Sequence, residues 1–183
     1  MDKRTISLLV KRIAMLSVGR STLRGQGAKG VVSVTRQYLS RMKLSDFSAS
    51  RTRSEFTLIL NKKTNQLKRI LPKGAQNWGA ARKAINIYLR EIVYNKHTSG
   101  YYNLSHIEKW LEVPLDSHVA NSIRSTNYGH SLPRWKTIKG LTSEVSAEYQ
   151  LAAKKVADHL GVNRIDLDIY LWRHLGERYL KNV

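Results

Sequence analysis

Two short stretches hold residues whose types and spacing could do chemistry. Gly79-Ala80-Ala81-Arg82-Lys83-Ala84-Ile85-Asn86 places Lys83 on the first turns of an amphipathic helix. Val113-Pro114-Leu115-Asp116-Ser117-His118-Val119 places Asp116 where a proline hands over to the next helix. Breaking the bond between a DNA base and its sugar builds positive charge on the sugar, which a carboxylate beside it stabilises, as in glycoside hydrolysis. One preorganised group of that kind is worth roughly 3–4 kcal/mol in the transition state. Proline biases the residue before it toward extended geometry, so the chain turns sharply into the helix that Asp116 opens. The dipole of that helix favours a negative charge there. A lysine can attack the sugar carbon itself and form a Schiff base once the base has left. It must first give up its proton, which burial or a cationic neighbour favours. A protonated Lys83 would instead position phosphate or the departing base, with water as the nucleophile. Each residue alone also has a plainer reading, Asp116 as an ordinary N-cap and Lys83 as a solvated lysine.

Charge points to the polymer. The 183 residues carry 32 Lys and Arg against 13 Asp and Glu, a net charge of +19. An excess spread through the whole chain attracts polyanions and releases their counterions, giving tight, salt-sensitive binding. Solubility, or affinity for an acidic membrane surface, is the blander use of such charge. No apolar run approaches the roughly 20 residues that span a bilayer. The start of the chain lacks a signal peptide's apolar block. The absence of cysteine excludes disulfides, cysteine-ligated zinc, iron–sulfur clusters and thiol nucleophiles. The expectation is a cytoplasmic monomer that needs no cofactor and binds double-stranded DNA.

The elements that must position the two residues read as helices. Ile6, Leu9, Ile13 and Leu16 recur at helical spacing, as do Val31, Val34, Tyr38 and Met42. Phe56 to Leu71 suggests a third helix, stopped at Pro72-Lys73-Gly74. Asn77 can cap a helix through Ala81, Ile85, Tyr88, Leu89 and Ile92, and Asn103 can open a short one carrying Leu104, Ile107 and Leu111. Thr126 to Gly140 reads as a loop. Helices over 142–160 and 165–180 follow, with Gly161 as the stop between them. The fold class is all-α, compact, with about eight helices. Gly25-Gln26-Gly27-Ala28-Lys29-Gly30 matches the dinucleotide fingerprint, but that fingerprint requires a preceding strand and a βαβ unit. Here it reads as a flexible basic loop.

Together the two stretches resemble the helix-hairpin-helix DNA glycosylase superfamily. That superfamily carries a Gly-x-x-Arg-Lys-x-x-Asn pattern whose lysine is the nucleophile, and a downstream Val-Pro-x-Asp-x-His-like segment with the catalytic aspartate. Gly79, Arg82, Lys83 and Asn86 fill the first pattern; Val113, Pro114, Asp116 and His118 fill the second. The resemblance implies a single glycosylase-like domain over 1–183, with lobes 1–72 plus 165–183 and 73–164 and a DNA cleft between them. It makes Lys83 the nucleophile and Asp116 the catalytic carboxylate. The family's Leu-Pro-Gly-Val-Gly hairpin is replaced by the longer Leu71–Gly79 turn, and the cysteine cluster of the iron–sulfur branch is missing. The long interval from Lys83 to Asp116 is similar to that of archaeal 8-oxoguanine glycosylases. More loosely, the chain looks like compact bacterial glycosylases of anti-phage defence that remove glucosylated hydroxymethylcytosine. The implied activity is flipping and excision of a modified base, with that cytosine in phage DNA first and an oxidised purine second, leaving an abasic site. A competing class is a non-enzymatic basic DNA-binding protein. Another is a metal-dependent nuclease built around Asp166 and Asp168.

Further candidates follow from what base extrusion needs. Trp78, Tyr170 and Trp172 could stack the base, and Asp168 could bond its polar edge; the plainer readings are core tryptophans and an exposed acid. Arg134, Lys136 and Lys139, in the loop from His130 to Lys139, combine cations with an aromatic as a backbone grip would. Arg82, Ser117 and His118 are candidate DNA contacts, and Gln26 or Asn77 a candidate wedge.

Overall fold

The structure is a computed structural model, and it describes residues 1–23 and 25–171. Among these residues every regular element is helical and no strand occurs, as the periodicity predicts. Asp2 opens α1 (Lys3–Ser17) by accepting the Thr5 N–H at 2.9 Å. The first, second and third helical patterns become α1, α2 (Val31–Arg41) and α4 (Arg53–Ile70), with a single turn, α3 (Ser45–Ser48), burying Phe47 before α4. The Asn77 carboxamide oxygen accepts the Ala80 N–H at 2.9 Å and caps α5 (Trp78–Tyr94), the helix that bears Lys83. α5 buries Ala80, Ala84, Ile85, Tyr88, Leu89 and Ile92 completely and packs against α1, α2 and α4.

After α5 comes α6 (Lys96–Tyr102), and here one expectation is corrected. Asn103 closes α6 in a left-handed conformation, φ 52°, instead of opening a helix. Asparagine tolerates that conformation because its short polar side chain bonds locally. The segment with Ile107 is a 3₁₀ turn, Ser105–Trp110. Asp116 opens α7 (Ser117–Arg124), and Thr142 caps α8 (Ser143–Leu160). α8 ends at Gly161 with φ 68°, the conformation that makes glycine the usual stop. A 3₁₀ turn at Arg164–Asp166 leads into α9 (Leu167–Leu171), where the described residues end.

The buried apolar residues form two clusters. The first gathers α1 to α5, the 104–111 segment and Ile165. The second gathers Val113, Leu115, α7, Leu132, Leu141, α8 and the α9 residues Leu167 and Leu171. This division differs from the lobes expected from the sequence. α5 belongs with the first cluster because its apolar face meets α1 and α4, and the chain passes to the second cluster at Glu112. No helix among the described residues is long and apolar enough to cross a membrane.

Candidate active site

Asp116 reaches Lys83 because the chain leading to it is clamped at every step. The Arg164 guanidinium donates to the carbonyls of Trp110 and Leu111, at 2.7 and 2.9 Å. Arg82 Nε donates to Glu112 at 2.9 Å, and Asn86, one turn along the same face, donates to the same carboxylate oxygen at 3.1 Å. Gln150 of α8 then brackets Val113: its amide donates to the Val113 carbonyl at 2.7 Å, and its oxygen accepts the Val113 N–H at 3.1 Å. Pro114 and Leu115 are buried, and the next residue is Asp116. Arg and Asn of the Gly-x-x-Arg-Lys-x-x-Asn pattern therefore hold Glu112, and the lysine between them meets the aspartate four residues further on.

Lys83 Nζ donates to Asp116 Oδ2 at 3.1 Å. The other carboxylate oxygen accepts the N–H groups of His118 and Val119, at 3.0 and 3.1 Å. Asp116 is thus an N-cap and a partner of Lys83 at once. Their side chains are 11% and 31% exposed, so the pair is sheltered yet reachable from the surface.

One turn before Lys83 on the same face of α5 is Gly79. A β-carbon there would fall 2.1 Å from the Ile138 carbonyl oxygen and 2.8 Å from Leu141 Cβ. No side chain fits, so the 133–141 loop rests directly on the helix and lies over the turn that carries Lys83. The result is a groove of about 480 Å³. It is lined by Lys83, Asp116, Ser117 and His118, by Ser21, Gly25 and Gln26, and by the loop from Trp135 to Lys139. The size is in the range of small-molecule sites.

Several predicted residues meet here and others do not. Ser117, His118, Lys136, Lys139 and Gln26 line the groove with the central pair. Arg134 is exposed on the same loop but outside the lining. Arg82, expected at DNA, is corrected: it is 5% exposed and spends its donors on Glu112, Thr64 and Asn61. Burial pulls its guanidinium below the ordinary arginine range, and Glu112 opposes that shift. Trp78 is also corrected as a stacking residue. The Arg82 guanidinium lies over its ring, 4.8 Å from the centroid, and the indole packs against the second core. Neither wedge candidate is free, because the Asn77 amide donates to Gln26 Oε1 at 2.6 Å while its oxygen caps α5.

Asp168 forms an ion pair with Arg90, two turns along α5 from Lys83, and is not part of the groove lining. Tyr170 lies on α9, also outside the lining, and Trp172 lies outside the described residues. Asp166 accepts the Asn163 N–H at 2.9 Å and bonds the Tyr94 hydroxyl. Among the described residues no group of three His, Asp or Glu side chains is placed to hold a metal ion.

Sequence reasoning placed Trp135 and Thr137 in a backbone-gripping loop without assigning either a place in the groove, and it missed Ser21 there and Glu112, Gln150 and Arg164 as the clamp. Burial lowers the Arg164 guanidinium to about 10, with Glu112 opposing the shift. A scarcity of acids was the one available signal for Glu112; a lone glutamine on an amphipathic helix gives none. Comparison with family models, with curated proteins and with solved structures finds no match to this chain.

Proposed function

We propose that this chain is a DNA N-glycosylase that draws an extruded, modified base into the groove and releases it, leaving an abasic site. The observation that carries the reading is the Lys83–Asp116 contact at 3.1 Å, in a groove that Lys136 and Lys139 also line. With the sugar above this pair, the Asp116 carboxylate faces the charge that builds on C1′. It is also within reach of the proton that Lys83 must lose before its amine attacks C1′. Attack forms the Nζ–C1′ bond as the bond to the base breaks; the base leaves with that electron pair and takes up a proton. Opening of the sugar ring then gives the Schiff base. If Lys83 keeps its proton, the same carboxylate activates water and Lys83 holds the departing base or a phosphate.

The substrate is double-stranded DNA bound by a monomer, and the preferred base is glucosylated hydroxymethylcytosine of phage DNA. An oxidised purine is the second choice. The test incubates the protein with phage DNA carrying glucosylated cytosines, with oxidised-purine duplexes in parallel, and measures abasic sites. Release that depends on Asp116 supports the reading; undiminished release by Asp116→Ala overturns it. Borohydride trapping should give a covalent adduct through Lys83, and release without an adduct reassigns Lys83 to positioning. Salt-dependent DNA retention with no abasic product on any of these substrates would make the chain a binding protein.

A further inference from the structure

Trp135 stands in the groove wall, and its surroundings make it stiff. The loop that carries it is tied down at both ends by the buried side chains of Leu132 and Leu141. Behind the indole lies Tyr149, fully buried, with ring centroids 5.8 Å apart and planes at 84°. The Tyr149 hydroxyl donates to the Pro133 carbonyl at 2.7 Å, so one residue fixes both the ring and the backbone leading to it. Beyond Trp135 the loop is seated on Gly79. The indole is half-buried and lines the groove. Among the described residues, no other Trp, Tyr or Phe belongs to that lining.

A fixed aromatic surface suits a planar heteroaromatic ligand. It gives a large contact area without ordering a flexible side chain on binding. The groove also offers three uncharged hydroxyls, Ser21, Ser117 and Thr137, to a polar ring edge, and Lys136 and Lys139 line it with the indole. Ammonium groups in the same groove as an aromatic platform match a base whose own backbone phosphates stay close. Trp78, a stacking candidate from the sequence, is already covered by Arg82.

We propose that Trp135 is the platform on which the extruded base stacks in this groove. The proposal rests on the glycosylase reading for its ligand, a nucleobase, but its test does not require base release. The probe is a duplex with 2-aminopurine opposite an abasic-site analogue, where extrusion is easy. Wild-type protein should quench the fluorescence that accompanies extrusion, because the base stacks on the indole. Trp135→Leu should leave the extruded base bright and weaken binding roughly 5- to 150-fold, the range measured for losing one base–aromatic stack. Trp135→Phe keeps a ring and should retain most of the quenching, which covers the case in which the leucine variant fails to fold.

Undiminished quenching in a folded Trp135→Leu variant overturns the proposal. So does a Trp135→Phe variant that folds and binds the duplex but leaves the base bright. Abasic-site formation is measured on the same variants with modified DNA. Base release with no dependence of quenching on Trp135 rejects the platform and leaves the glycosylase reading standing. Quenching that depends on Trp135, with no release from any modified duplex, rejects the glycosylase reading and keeps the platform.

Discussion

Lys83 and Asp116 touch across the line between two hydrophobic cores. Lys83 projects from a helix of the first core, Asp116 caps a helix of the second, and 33 positions of sequence separate the atoms that stand 3.1 Å apart. The contact is inherited from the clamp on residues 110–113, so removing the clamp and removing the pair should have different signatures.

Asp116 has two duties that substitutions can separate. Asparagine is as good an N-cap as aspartate, so Asp116→Asn should keep the cap and lose only the charge paired with Lys83, a cost of about 1 kcal/mol for a partly exposed pair. Asp116→Ala should lose about 1 kcal/mol more, because the cap goes as well. On the glycosylase reading both should reduce base release by about 100- to 1000-fold, because both remove the charge proposed to face the sugar. Thermal melts and single-turnover kinetics on modified DNA check the two effects.

Arg82 should behave as a structural residue. Arg82→Gln leaves the largely buried Glu112 without its cation, which typically costs about 3–5 kcal/mol. For a chain of this size that lowers Tm by roughly 6–20 °C. Lys136→Gln and Lys139→Gln should change Tm little and make DNA binding less salt-dependent. Each should lower the slope of log K against log salt by about 0.9, the change expected when one phosphate is no longer neutralised. DNA titrations at several salt concentrations distinguish the two kinds of cation.

Gly79→Ala should damage the site without touching either central residue. The added methyl would sit 2.1 Å from the Ile138 carbonyl oxygen, and the 133–141 loop must lift to admit it. The expected outcome is a stability loss of about 1–3 kcal/mol, typical of overpacking. Protease cleavage within the loop should become faster, and base release slower. Unchanged proteolysis would mean that the loop does not depend on its seat at Gly79.

The α2–α4 contact should weaken in alkali. Burial, and then the nearby Asp46 charge, pushes the Tyr38 phenol up to about 12, and its hydroxyl donates to the Lys63 carbonyl at 3.0 Å. The unfolded chain releases that proton near 10 while the folded chain keeps it, so stability is complete below pH 10 and is lost as pH rises toward about 12. Tyr38→Phe should be less stable than wild type at pH 9, with a shallower decline between pH 10 and 12. Urea melts across that window measure the difference.

The helical class, the cap at Asn77, the stop at Gly161 and the helix opened by Asp116 were legible because each rests on local rules of period and capping. The catalytic candidates were legible because two motifs framed them. Arg82 and Trp78 were misassigned for one reason: charge and aromaticity say nothing of which helix face is buried, and both lie inward, one over the other. Trp135 was hidden by its surroundings. A tryptophan two positions after a proline and between two cations reads as a surface grip until Tyr149, 14 positions later, is seen to hold it. The Gln150 bracket joins positions 37 residues apart and leaves no periodic trace.

Lys83 also acts as a mask. An ammonium and a carboxylate 3.1 Å apart present a short dipole to a phosphate one Debye length away, and dipole fields fade faster than those of single charges. Among the described residues Asp116 is the one carboxylate of the groove lining, and on the DNA-binding reading its pairing with Lys83 would leave little charge to repel the polyanion that the basic loops attract. Its charge becomes fully felt only when Lys83 turns toward another partner. The sugar would then meet a negative charge that was hidden from the DNA on arrival.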